Sequence, residues 1–174
     1  MAGPVVASAV ILKDFNFREV IYDSKKLSPK RRDRAFKEIL KKCIVGIGIV
    51  GEKTIDDINI YQATKKAMEM AVSSLKVAPD YVIVDGNMKV ATPCPMECIV
   101  AGDSKSLSIA AASIVAKVTR DKIMRRYDEV YPQYGFAKHK GYPTKFHKNA
   151  LKKNGPSPIH RYTFQPVKEL GQAA

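Results

Sequence analysis

Asp85 closes the apolar run Tyr81-Val82-Ile83-Val84, and Asp103 follows a second short run, Glu97 to Val100, just ahead of a long helical pattern. Carboxylates that end neighbouring strands of an open α/β sheet lie where such folds gather their ligands. Two of them can converge on a hard cation such as Mg²⁺, although two alone hold it weakly without substrate phosphate oxygens. The plainer alternative is local: Asp85 opens a turn with Gly86, and Asp103 caps the helix that follows. Spacing alone leaves both readings open.

A second group is Tyr134-Gly135-Phe136-Ala137-Lys138-His139-Lys140-Gly141-Tyr142-Pro143. Rings interleaved with Lys138, His139 and Lys140 suit a sugar or base face beside phosphates. Part of the Tyr/Phe cluster is also expected to pack the loop onto its own domain. Other patterns carry less. Gly46, Gly48 and Gly51 have the G-x-G-x-x-G spacing but lie within a strand pattern, not at a turn from strand to helix, which argues against a dinucleotide site. Cys94 and Cys98 lack a second close pair, and His139, His147 and His160 show no tight ligand spacing, so zinc is not expected. Nothing local pairs a nucleophile with a histidine.

These residues need elements to position them. Val5 to Leu12 is a β-branched, apolar strand pattern. Ser28-Pro29 predicts a capped helix start, followed by Ala35, Phe36, Ile39 and Leu40 at helical spacing. Ile44 to Val50 alternates β-branched residues with glycine, a strand, and Lys53 to Asp57 follows as a loop. Ile60, Ala63, Ala67, Ala71 and Leu75 mark a second helix. After the strands ending at Asp85 and before Ala101, a long helix runs from about Lys105 to Tyr127, its first half made of small residues. Tyr131 to Pro143 reads as a loop, and a last helix from Thr144 to Asn154 stops at Gly155. The pattern predicts one α/β domain over residues 1–174, with a helical C-terminal part from about 131 that is expected to bind substrate.

The chain of 174 residues carries 30 Lys and Arg against 17 Asp and Glu, a net charge of +13. Residues 1–42 and 117–153 are strongly basic, whereas residues 43–116 are slightly acidic. Basic flanks around central carboxylates suit a nucleic-acid enzyme, in which lysines hold phosphates and carboxylates hold metal. No apolar stretch is long enough to span a bilayer, so no membrane association is expected. No secretory signal is read at the N-terminus, and three cysteines point to a reducing compartment.

In combination these stretches resemble bacterial ribonuclease HII, the type 2 ribonuclease H. The resemblance runs through Ala2-Gly3-Pro4-Val5-Val6, Asp23-Ser24-Lys25-Lys26-Leu27-Ser28, Ile58-Asn59-Ile60-Tyr61-Gln62-Ala63-Thr64 and Val84-Asp85-Gly86-Asn87. It continues through Gly102-Asp103-Ser104-Lys105-Ser106 to Asp121, then Tyr134 to Thr144 and Gly155-Pro156-Ser157-Pro158-Ile159-His160-Arg161. It implies a ribonuclease H-like mixed sheet flanked by helices. It also implies an endoribonuclease that cuts RNA in RNA–DNA hybrids and at ribonucleotides embedded in duplex DNA, leaving 5′-phosphate and 3′-hydroxyl ends. By the same resemblance, Asp85 and Asp103 are metal ligands for Mg²⁺ or Mn²⁺, Tyr142 meets the ribose–deoxyribose junction, and Lys25 and Lys26 lie near the backbone. The enzyme is expected to be a cytoplasmic monomer.

The sequence departs from that family at its start. The family carries Asp-Glu-Ala-Gly-Arg-Gly shortly before Ala-Gly-Pro-Val-Val, and this chain opens at Met1-Ala2-Gly3-Pro4. Two of four metal-binding carboxylates are then not in the sequence, and Asp56-Asp57 is in the wrong place to replace them. The first strand, central to the five-stranded sheet, is expected to be lacking. Either the remaining strands close the gap or the product is incomplete. Cleavage by the chain itself is therefore expected to be impaired, with non-catalytic binding of hybrids or duplexes as the alternative.

Overall fold

Strand β1 covers Val5–Leu12, as its β-branched composition predicts. In the computed structural model, which describes residues 1–171, helix α1 spans Pro29–Lys42 and Ser28 caps it, its side chain accepting the Arg31 N–H. Ala35, Phe36 and Ile39 are buried, whereas Leu40 is 47% exposed. Leu40 lies about 100° round the helix from Ile39, just past the edge of the buried stripe.

Strand β2 (Cys43–Val50) and helix α2 (Glu52–Ser73) pack closely. A Cβ on Gly46 would stand 2.0 Å from the Ala71 carbonyl oxygen, and one on Gly48 would stand 1.9 Å from that of Ala67. The two glycines therefore serve strand–helix contact and hold no phosphate. Residues 53–57, expected as a loop, are helical, and the backbone breaks at Asn59 (φ 66, ψ 166). The Asn59 side chain accepts the Gln62 N–H at 3.1 Å, an N-cap inside the span that restarts the helix where the apolar spacing begins.

Strands β3 (Val82–Asp85) and β4 (Met96–Ile99) pair in parallel, with Val82 opposite Met96 and Asp85 opposite Ile99. Helix α3 covers Leu107–Val130. The segment 131–143 is more ordered than a loop: a 3₁₀ turn at Pro132–Tyr134 leads into helix α4 (Phe136–His139). Four residues are too few to show a helical period in sequence. Thr144 caps helix α5 (Lys145–Asn154), which ends at Gly155 as expected, and helix α6 (Val167–Gly171) follows.

The described strands form two separate two-stranded sheets, β1 with β2 and β3 with β4. They do not close the gap expected at the middle of the sheet. The chain divides into two compact units. The first comprises Val6–Ile49 and Thr64–Val118, and the second comprises Met1–Val5, Val50–Ala63 and the residues from Thr119 onward. The first is centred on Leu27, Phe36 and Ile39, which pack with Ala111, Ile114 and Val115 of α3. Of the small residues of α3, Ala110 and Ala111 are buried, whereas Ala112, Ser113 and Ala116 are half-buried. The second is centred on Ala2, Met124, Tyr134, Phe136 and Ile159. Among the described residues no helix is long and apolar enough to cross a membrane.

Candidate functional site

Within the first unit, Asp85 ends β3 and its carboxylate turns toward the segment that carries Asp103. Its Oδ1 accepts the Gly102 N–H at 2.8 Å. Three features make that contact possible. Gly86 takes φ +91, which turns the chain sharply away after the strand. Ala101 takes the left-handed conformation (φ 54), and Gly102–Ser104 then forms a 3₁₀ turn. Gly102 is buried with Ile109 of α3 close by, since a Cβ there would meet Ile109 Cδ1 at 2.5 Å.

The two local alternatives fare differently. Asp85 does stand at a turn, but its side chain reaches across to Gly102. Asp103 does not cap α3. That helix starts at Leu107, and Ser106 Oγ accepts the Ile109 N–H at 3.5 Å instead. Asp103 is half-buried and Asp85 is exposed.

Lys25 and Lys26 lie on the same unit, on a turn fixed by its neighbours. The Asp23 carboxylate accepts the Lys25 N–H at 2.9 Å. Ser24 is buried against Ser113, Oγ to Oγ at 2.9 Å, and Leu27 enters the core. Both lysines are left exposed, and the Lys26 ammonium stands 5.2 Å from the Tyr22 ring.

The second unit holds the aromatic, basic segment, whose members separate by role. Tyr134 and Phe136 are core residues, 2% and 0% exposed, so their rings pack the segment down, as expected for part of the cluster. Tyr142 is 56% exposed. Lys138 is exposed beside Phe146, and half-buried Lys140 folds back onto the Ala137 carbonyl. Gly141 (φ +82) is where a side chain could not fit, for a Cβ there would lie 2.3 Å from the Ala2 carbonyl oxygen.

Two features went unread in the sequence. Arg120 looks like one more solvated cation on a basic helix. Instead its guanidinium donates to the carbonyls of Pro4 (3.0 Å), Lys140 (2.9 Å) and Ala2 (3.2 Å), and its Cζ stands 5.5 Å from the Tyr142 ring centroid. One planar fork thus ties the start of the chain to the loop that presents Tyr142. His139, His147 and His160 form a buried cluster in which the His139 and His147 rings lie 4.2 Å apart and nearly parallel. Neither feature has a local signal, because both arise from tertiary contact.

Asp56 is also accounted for. Its carboxylate accepts the Tyr162 N–H (2.7 Å), the Thr163 N–H (2.9 Å) and the Thr163 hydroxyl (2.6 Å). It clamps a turn and is not a substitute metal ligand. Among the described residues no three His, Cys, Asp or Glu side chains group to hold a metal ion. The Asp85–Asp103 pair has the right donors for a hard cation, as the part of a site that substrate phosphate and water would complete.

The architecture matches known folds. It superimposes on the ribonuclease H2 of Pyrococcus horikoshii OT3 with TM-score 0.77 at 22% identity, covering 98% of this chain and 93% of that one. It matches Bst-RNase HIII in complex with Mn²⁺ with TM-score 0.70 at 14% identity, covering 99% of this chain and 66% of the other. The fold is therefore ribonuclease H-like, a mixed α/β architecture.

At the level of sequence, the family model described as Ribonuclease HII matches residues 1–167. The Ribonuclease HII of Enterococcus faecalis is 51% identical over 172 residues, which make up 98% of this chain and 67% of that protein. The chain belongs to the ribonuclease HII family, hydrolases that act on RNA in RNA–DNA hybrids, and it spans about two thirds of that relative's length.

Proposed function

We propose that the chain carries the metal-dependent endoribonuclease chemistry of its family, cutting at RNA in hybrids and at ribonucleotides embedded in duplex DNA. Asp85 and Asp103 are the residues assigned to hold Mg²⁺ or Mn²⁺. The observation behind this is the 2.8 Å bond from Gly102 N–H to Asp85 Oδ1, which links the end of β3 to the turn bearing Asp103. A protein of the same fold, Bst-RNase HIII, is known in complex with Mn²⁺. A divalent ion held there would supply Lewis acidity and neutralise phosphate charge.

The remaining roles fall to the chain's own groups. Exposed Tyr142 offers a ring to a sugar face while Arg120 holds its loop. Lys25, Lys26, Lys138 and Lys140 contribute cations to backbone phosphates. Products carry a 5′-phosphate and a 3′-hydroxyl. The protein acts as a monomer in the cytoplasm. Two carboxylates hold the ion weakly, so turnover by these residues alone is slow.

A DNA duplex with one internal ribonucleotide tests both parts. The expected result is salt-sensitive binding, with slow cleavage on the 5′ side of the ribonucleotide that EDTA abolishes. Equal cleavage of an all-DNA duplex would overturn the assigned specificity, and fast turnover would overturn the weakly held ion. Binding with no cleavage at any metal concentration would favour a non-catalytic duplex-binding protein instead.

A further inference from the structure

In the second unit, Phe146 of α5 is 53% exposed, yet its ring has a built seat. A Cβ on Gly135 would lie 2.6 Å from Phe146 Cε1, so the glycine at this turn (φ +70) makes room for the ring. The His139 ring stands 6.2 Å away, tilted at 45°, and the Lys138 ammonium lies 5.6 Å from the ring centroid. We propose that Phe146 is a stacking platform for an unpaired base, and that the exposed lysines around it hold the phosphates of a single nucleic-acid strand. The proposal goes beyond the duplex reading and takes only Lys138 from it.

The first support is the seat. Because the ring is already held by Gly135 and His139, stacking on it costs little side-chain entropy. Lys138 is exposed, so its ammonium can yield the ring face to a base and turn to the adjoining phosphate.

The second support is charge. From Tyr131 to Lys168 the chain has no Asp or Glu. At about 100° per residue, the exposed face of α5 runs from Lys148 through Lys152, Lys145, Asn149 and Lys153 to Phe146. His147 and Leu151 occupy the buried face. Lys153 lies within about 20° of Phe146 round the helix and about 10 Å farther along its axis. Cations therefore flank the ring along α5 and, through Lys138, on α4. Among the described residues none of these lysines is paired with a carboxylate. A positive track beside an aromatic face is the arrangement that holds single strands.

The third support is what the ring lacks. A phenyl group has no donor or acceptor with which to read a base edge in a groove. The face of an unpaired base is the surface it fits, and such stacking tolerates any base. Protein–protein interface cores are depleted of lysine, so a ring bordered by lysines favours nucleic acid over a protein partner.

The chain has no tryptophan, so Phe146→Trp places a fluorescent reporter at the site without a background. The expected result is quenching by a short oligothymidylate at low salt, and none by an abasic oligomer of the same length. Phe146→Ala is expected to weaken oligothymidylate binding about tenfold, the scale of one lost base stack. Its affinity for a blunt DNA duplex of the same length should change by less than about twofold. Phe146→Tyr keeps a ring face and should bind the oligothymidylate like the unmodified chain. Equal quenching by the abasic oligomer would reduce the site to phosphate contacts and overturn the platform. An equal loss of duplex affinity in Phe146→Ala would place the ring in the duplex interface instead. Unchanged oligothymidylate affinity in that variant would remove the ring from binding, and either result overturns the proposal. So would no binding of oligothymidylate to the full chain at about 1 mM, a weak-binding limit. Binding of the ribonucleotide-containing duplex in that last case would leave the duplex reading standing alone.

Discussion

His147 and His160 meet Nε2 to Nε2 at 3.0 Å, and their other nitrogens fix which one donates. His160 Nδ1 accepts the Ser157 N–H at 2.9 Å, so its proton is on Nε2. His147 Nδ1 faces the Tyr142 carbonyl at 2.9 Å and must donate to it, leaving its Nε2 as the acceptor. The chain of bonds from Ser157 to Tyr142 thus exists only with both imidazoles neutral. Burial pushes both pKa values down from 6.5 to about 4. The unfolded chain therefore binds more protons than the folded one between pH 6.5 and about 4. Stability is full above pH 6.5 and falls as pH drops through that window, by up to about 1.4 kcal/mol per pH unit for each histidine. Thermal unfolding measured from pH 7 to 4.5 is expected to show this decline. His147→Phe should lower the melting temperature at pH 7, because His160 and Tyr142 lose partners, but should flatten the pH dependence. A slope as steep as that of the unmodified chain would assign the effect to other groups.

That histidine cluster shows where sequence reading stops. Elements with their own periodicity or cap chemistry were legible: β1 from its β-branched run, α1 from Ser28-Pro29, and the end of α5 from Gly155. Asp85 was legible as the end of an apolar run, and the structure sets its carboxylate on the Gly102 N–H, next to Asp103. The glycines of β2 were visible, but their purpose lay in the carbonyls of Ala67 and Ala71, on another element. The positive-φ break at Asn59 goes with a side-chain cap that propensity does not reveal. Arg120 depends on partners up to 118 residues away, and the histidine cluster on ring partners brought together by the turns between 139 and 160. Local spacing carries no information about such pairs.

Gly48 gives a stability test of the strand–helix contact. A Cβ there meets the Ala67 carbonyl oxygen at 1.9 Å and the Ala71 nitrogen at 2.8 Å, both main-chain atoms that cannot swing aside. Gly48→Ala is expected to cost about 3 kcal/mol or more, read from the urea midpoint, because strand and helix must separate. A Cβ on Gly51 would meet nothing within 4 Å. Gly51→Ala should stay within about 1 kcal/mol of the unmodified chain and can gain through the unfolded state. Similar losses at both positions would contradict the close packing.

Arg120 and Tyr142 should separate structure from binding. Arg120→Lys keeps the charge but has one nitrogen where three carbonyls are now served. It is expected to cost about 2–4 kcal/mol and to speed amide exchange at Gly141. Tyr142→Ala removes a mostly exposed ring and should change stability by less than about 1 kcal/mol. The same substitution should weaken binding to a duplex with one ribonucleotide by about 1–3 kcal/mol, the scale of a stacking contact. Unchanged duplex affinity in Tyr142→Ala would remove the ring from the interface.

The carboxylate pair can be tested without relying on turnover. Asp85→Asn retains an oxygen to accept the Gly102 N–H but loses the charge, whereas Asp85→Ala loses both. Both should weaken Mn²⁺ binding about tenfold or more in a calorimetric or spin-resonance titration, since a hard cation needs anionic oxygen. Only the alanine variant should also lose stability, by about 1–3 kcal/mol, because the buried Gly102 N–H is left without its acceptor. Asp103→Asn should match Asp85→Asn in metal affinity. If Mn²⁺ affinity is unchanged in Asp103→Asn while Asp85→Asn loses it, the two carboxylates do not share an ion, and Asp85 alone marks the site.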